Sequence, residues 1–362
     1  MRRISGIVLA VLLIGGVVAA VVAGRQADDA EDKATATKTV RAIIGSEKAA
    51  FFADADVVKA LAAKGYTVRA ETSGSWAMEE LDLKGYDLAF PSSQAPADEL
   101  ADKHGVRKPL PRPFYSPLVV VAHRSAAQVL AANGLAALDR SRGGTLKMGA
   151  YLDAARADRT WQQLKGAEKY GELTGTVYIA TTDPETSNSG ALYLAAASYV
   201  ANGDRVAASD ADVDRTAPLM RKLVQVQGAQ KSSTDAAFRD FTSGVGDPLV
   251  LVYESQVAAL LREGGESVGD LTVLYPDTTA TSDHTVVPLT DEGRALGELL
   301  AGDPRLRELA VRHGFRPQGA GAEFTKATEA HTAYLNQQLT GVRQAPVPTS
   351  EVLHEMARRA RG

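Results

Sequence analysis

Three short polar stretches each follow an apolar, β-branched run and precede a helix-like one: Gly45-Ser46-Glu47-Lys48, Thr72-Ser73-Gly74-Ser75, and residues 183–189, DPETSNS. Small hydroxyls and the free amide N–H groups at a helix start donate hydrogen bonds without carrying a full charge, and the helix dipole favours negative charge there. The chemistry this points to is binding, of an anion or a partly negative oxygen, rather than bond breaking. Any one of these turns taken alone reads first as an ordinary helix cap. Recurrence is what favours a shared crevice, because turns at the carboxyl ends of parallel strands line one edge of a sheet. In the third stretch Ser187, Asn188 and Ser189 are the expected donors, and Gly190 leaves room for a ligand or a facing backbone.

Tyr253 and Glu254, at the polar end of LVLVYESQ, are placed to close over a ligand or, equally, to be a half-buried Tyr and an edge Glu. Glu47 sits awkwardly with a bound anion, which it repels unless Lys48 or the solute compensates. Catalytic patterns are poor. The six His residues are scattered singly and read as surface or capping groups, no Gly-rich piece matches a nucleotide loop, and no Ser lies in a nucleophile elbow. With no cysteine there is no disulfide, thiolate metal site, Cys nucleophile or lipid-bearing N-terminal Cys. We expect no enzyme, no metal and no cofactor. A net charge of -4, from 40 basic and 44 acidic residues, gives no reason to expect a nucleic-acid partner.

The elements that must position these turns follow a strand-then-helix rhythm, TVRAIIG to YTVRAET to YDLAFPSS, that predicts a parallel α/β sheet. Four prolines in KPLPRPFYSPLVVVA then deliver the chain to a strong strand, as at a passage between domains. Residues 143–151 and 175–182 read as further strands, 158–170 as a long amphipathic helix and 191–203 as another, and GDPLVLVYESQ and DLTVLYP supply two more strands. The expected organisation is a first lobe over 39–121, a second over 122–272, a return to the first over 273–321, and a helical tail over 322–362 strapped across the first lobe. Two crossings between lobes make a hinge. Ahead of them, residues 1–25 carry Arg2 and Arg3 before an uncharged apolar run, followed by a charged linker over 26–38. That start is an export signal, either a single-pass anchor in the cell membrane or a signal peptide cleaved to release the chain.

Taken together, GSEKAAFF with ETSGSWAME, TTDPETSNSGALYLAAA, and GDPLVLVYESQ followed by HTVVPLTDEG and LRELAVRHGFRP resemble the type II periplasmic, or extracellular, solute-binding proteins of ABC importers. The likeness is to the molybdate- and sulfate-binding branch and covers roughly 39–317. It implies a two-lobed α/β clamp with a hinge of two crossovers, extended here by the N-terminal apolar segment and the C-terminal helical tail. It also implies ligand contacts from Ser46, Ser73, Ser75, Ser187, Asn188, Ser189 and Tyr253, a small-molecule or oxyanion ligand, and a membrane permease or other surface protein as partner. The alternative is a membrane-anchored sensory or protein-interaction module that keeps the fold without transport. A crevice filled by its own side chains, or Glu47 paired with Lys48, favours that alternative.

Overall fold

The computed structural model describes residues 37–264 and 268–362, so the apolar segment at 1–25 and nearly all of the linker lie outside the described residues. KTVRAII forms β1 (Lys38–Ile44), flanked by β2 (Tyr66–Thr72) and β3 (Leu88–Phe90), both parallel to it. Ile44 pairs with Thr72 on one side and Phe90 on the other, so the three carboxyl ends are level and their turns emerge at one edge. Between β1 and β2 the helix Ala55–Ala63 is capped by Asp54, whose side chain accepts from the N–H groups of Asp56 and Val57. Its Val57 and Leu61 join Val40, Ala42 and Phe90 in the first core.

β4 (Phe114–His123) opens a second sheet and is buried along almost its whole length. Its side chains alternate between two cores: Leu118, Val120 and Ala122 face Leu192, Leu223 and Leu251, whereas Val119 and Val121 face Phe241, Val252 and Val273. β5 (Ala136–Arg140), β6 (Gly143–Leu146), β7 (Leu249–Tyr253), β8 (Leu271–Pro276) and β10 (Thr281–His284) complete this sheet, with β7 and β8 both antiparallel to β4; β9 (Thr278–Thr279) lies between β8 and β10 in sequence. The chain then returns to the first sheet as β11 (Val287–Pro288), antiparallel to β3. β12 (Arg316–Pro317) goes back to β4, and β13 (Arg343–Gln344) pairs with β9.

Several elements differ from the sequence reading. Residues 175–182 are extended but form no strand, meeting neighbours only through isolated bridges such as Ala180 to Val250. Their amides are shared between backbone and side chains: Val177 and Ala180 donate to the Arg159 and Leu249 carbonyls, whereas Ile179 N–H donates to the Tyr151 hydroxyl and Thr181 N–H to Gln227. The helix expected at 158–170 is two short 3-10 turns, Trp161–Gln163 and Ala167–Lys169, because Asp158 (φ 49°) and Gly166 (φ 94°) adopt left-handed backbone that interrupts any helix. The tail touches both lobes rather than strapping the first alone: Gly321–Ala327 packs on Pro304–Arg312, and Leu353 of the last helix meets Trp76. Its last helix, Ser350–Arg361, packs chiefly along Asp210–Gln225 and also on Asn188–Ala201 and Gln94–Lys103, burying Met356 and Ala360 in the second-lobe core and Leu353 against Trp76, Ala191 and Ala195. Among the described residues, no helix is long and apolar enough to cross a membrane.

Candidate functional site

The level ends of β1, β2 and β3 place three turns side by side: Gly45 to Lys48, Thr72 to Ser75, and Ser92-Ser93 ahead of the helix Gln94–Lys103. Facing them from the second lobe are Ser187 and Asn188 at the start of the helix Asn188–Ala201, Ser232 to Thr234 at the start of Thr234–Thr242, and Tyr253 at the end of β7. Together they line a cavity of about 320 Å³ that also includes Glu47. Ser46, Ser73, Ser75, Ser187, Asn188 and Tyr253 all line it; Ser189 does not. Its hydroxyl bonds Thr182 (2.7 Å) and Ser187 (3.2 Å), bracing the loop from behind. Gly190 is likewise a packing residue, since a Cβ there meets the Thr182 carbonyl oxygen at 2.3 Å, backbone rather than ligand. A larger hollow of about 530 Å³ beside Tyr115 and Arg316 lies at the tail, where none of these turns reaches.

The lobes touch across the cleft. Trp76 and Ala77 N–H groups both donate to the Thr186 carbonyl at 3.2 Å. Asn188 spans the junction: its Oδ1 accepts from Ser93, and its Nδ2 donates to the Tyr253 hydroxyl (3.1 Å) and to Ser282 (3.2 Å). Ser75 accepts from Ser92 N–H at 2.9 Å, tying the second and third turns together.

Behind the hydroxyls lies a charged cluster that the sequence reading did not assemble. Lys48 and His284 are fully buried, and the Glu47 side chain is 4% exposed. Lys48 pairs with Glu47 Oε1 and donates to Ser92 Oγ (3.3 Å), and its ammonium lies 3.1 Å from His284 Nδ1. Ser92 donates to the same Glu47 oxygen at 2.6 Å. Burial opposes the Glu47 charge, but Lys48 and His284 outweigh it and hold the carboxyl well below the usual carboxylate range. Burial lowers Lys48, with Glu47 opposing. Burial and then the Lys48 charge push His284 down to about 4, so the ring is neutral at physiological pH. His284 is therefore a core residue, packed against Phe114, Phe315 and Tyr253, rather than the surface group expected. Asp235, in the first turn of Thr234–Thr242, is raised by burial and by Glu47, while a hydrogen bond from Ser46 opposes the shift.

Glu254 points away from the cavity. Arg316 grips it from Nε (2.5 Å) and Nη2 (2.8 Å), and the Tyr275 hydroxyl donates to it as well, so its charge is spent holding β12. Among the described residues no group of three or more His, Cys, Asp or Glu is arranged to hold a metal ion. Ser92 and Ser232 to Thr234 were missed although PSSQ and KSSTD carry the same hydroxyl-before-helix signal as the chosen turns. His284 gave no local signal, being 236 residues from Lys48.

A sequence model described as bacterial extracellular solute-binding protein matches residues 62–316, which includes every cavity residue named above except Gly45, Ser46 and Glu47. A comparison with curated proteins gives no match. Among solved structures, the sulfate-binding protein SubI of Mycobacterium tuberculosis H37Rv is similar at 15% identity and TM-score 0.54, over 86% of this chain and 92% of that one. A periplasmic thiamin-binding protein is similar at 13% identity and TM-score 0.55, over 90% and 97%. Iron-bound HitA of Pseudomonas aeruginosa is similar at 12% identity and TM-score 0.55, over 89% and 99%. At such identities the likeness establishes a shared two-lobed α/β fold and says nothing of the ligand. Since the match spans more than half of the sequence and takes in strands of both sheets, the chain belongs to the bacterial extracellular solute-binding proteins.

Proposed function

We propose that the chain captures one small polar solute in the cleft cavity, outside the cytoplasm, and that a membrane permease of the ABC-import type reads the closed form. The N-terminal apolar segment tethers it to the membrane in this reading. The observation that carries it is convergence: strand-end and helix-start turns from both sheets meet around a single cavity of about 320 Å³, a volume suited to one small molecule. Ser46, Ser73, Ser75, Ser187, Asn188 and Tyr253 are the contacts, and binding needs no catalytic step. Two helix starts favour an oxyanion there; Glu47, on the cavity wall, opposes one.

The second reading, a sensory or interaction module without transport, is supported by one specific feature. Glu47 is paired with Lys48, and Asn188 has all its amide atoms bonded within the protein, so the cleft partly answers its own polar groups. The open volume beside them supports capture instead. Native mass spectrometry of the exported protein, followed by titration of whatever solute travels with it, separates the two. The double variant Ser187→Ala/Asn188→Ala removes two or three hydrogen bonds worth about 1 kcal/mol each, so affinity should fall roughly 30- to 150-fold. Unchanged affinity, or no solute from any source, sinks the capture reading.

A further inference from the structure

We propose that Glu47 determines specificity in the cleft: its carboxylate is a built-in counter-ion for Lys48 that excludes fully deprotonated oxyanions and favours an uncharged solute donating a hydrogen bond to Oε2. This rests on the reading of the cavity as the solute site.

Of the ion pair, only Glu47 lines the cavity; Lys48 is wholly buried and reaches none of it. An arriving solute therefore meets the carboxylate and not the ammonium. Every hydrogen bond found for this carboxylate among the described residues ends on Oε1, from Lys48 and from Ser92, and His284 Nδ1 lies 3.4 Å from the same atom. Oε2 keeps its acceptor capacity at the wall of a cavity otherwise lined by hydroxyls, an amide and a phenol. The position is built, not incidental. A Cβ on Gly45 would fall 2.6 and 2.7 Å from the two Glu47 oxygens and 2.5 Å from Ser92 Oγ, so only glycine lets the carboxylate fold back along its own turn.

The surroundings reinforce the assignment. A buried ammonium requires one anion, and Glu47 already supplies it; a second anion would be in excess. His284, kept neutral, adds no positive charge, and Asp235 brings a further carboxyl from the opposite lobe through its bond with Ser46. The starts of Asn188–Ala201 and Thr234–Thr242 contribute partial positive charge, but they face a cavity wall that already carries a negative group.

The experiment titrates sodium sulfate and sodium molybdate into the full-length chain, read by thermal shift and calorimetry. Wild type should show no stabilisation by either salt beyond that of sodium chloride at matched ionic strength. Glu47→Gln leaves Lys48 without its anion, so sulfate should bind at least tenfold tighter than to wild type and raise the melting temperature by mass action. Adding Lys48→Met to Glu47→Gln should abolish that gain. Sulfate or molybdate binding to wild type overturns the proposal, and this arm stands even where a variant does not fold. A folded Glu47→Gln chain with no gain overturns it too. The cavity reading fails separately: if Glu47→Gln gains sulfate and Ser187→Ala/Asn188→Ala added to it leaves that affinity unchanged, the ion is bound elsewhere.

Discussion

Glu47 and Lys48 are adjacent in sequence and still form an ion pair, because the tight 3-10 turn Ser46–Lys48 folds one side chain back over the other. With His284 they make the protein's interior sensitive to acid. An unfolded His takes up its proton near pH 6.5, whereas folded His284 resists until about 4. Stability from this group is therefore complete above pH 6.5 and declines as pH falls towards 4, by up to about 1.4 kcal/mol per pH unit. Glu47, depressed in the fold, adds a loss of the same sign below the unfolded carboxyl value of 4.5. Glu79 acts oppositely: burial and then Glu99 push it up to about 7, so its contribution falls as pH rises from 4.5 to 7. Urea unfolding of wild type and His284→Gln at several pH values from 7.5 to about 4.5 isolates the His284 part. The difference between the two chains should shrink as pH falls, and a constant difference would disprove the assignment. Hydroxyl turns were legible because they directly follow the strands that position them. His284 was not, since what makes it matter lies far along the chain and a lone His looks alike on a surface or in a core.

At the scale of elements, the turn after β2 owes its position to Gly74. A Cβ there would stand 2.3 Å from the Thr186 carbonyl oxygen, the acceptor shared by Trp76 and Ala77. Gly74→Ala should therefore hold the lobes apart and weaken solute binding at least tenfold, with a larger radius of gyration in solution scattering and unaltered circular dichroism. An unchanged radius would show that the contact yields at little cost. The strand-helix rhythm of the first lobe was readable because its extended runs alternate with helical ones, most clearly in the Asp54-capped helix Ala55–Ala63 after β1, although β2 is followed only by the short 3-10 turn Ala77–Glu80. TVYIATT misled for a physical reason: β-branched residues favour extended backbone, but a strand also needs a continuous neighbouring ladder, and here Tyr151 and Gln227 take the amides of Ile179 and Thr181 and interrupt it. WQQLKGAEKY likewise has helical spacing, which left-handed Gly166 overrides.

Considered whole, the molecule is two lobes bridged by more than its crossings. Trp76 of the first lobe packs with Ala191 and Ala195 of the second and Leu353 of the tail helix, and its ring lies 4.5 Å from that of His354. The tail helix also reaches the loop before Asn188, where Arg361 pairs with Glu185. Removing residues 350–362 should thus loosen the closed form, lowering solute affinity about tenfold while the second-lobe sheet stays folded; calorimetry with circular dichroism checks both, and unaltered affinity would assign the tail to stability alone. The two-lobe plan was visible in the order of strands, but the tail's docking partner was not, because an amphipathic helix states that it must be covered and not by what. One consequence is optical. The chain has two tryptophans, Trp161 locked in the second-lobe core and Trp76 at the seam where the lobes and the tail meet, so a shift in emission on adding a solute is an internal, label-free gauge of lobe closure.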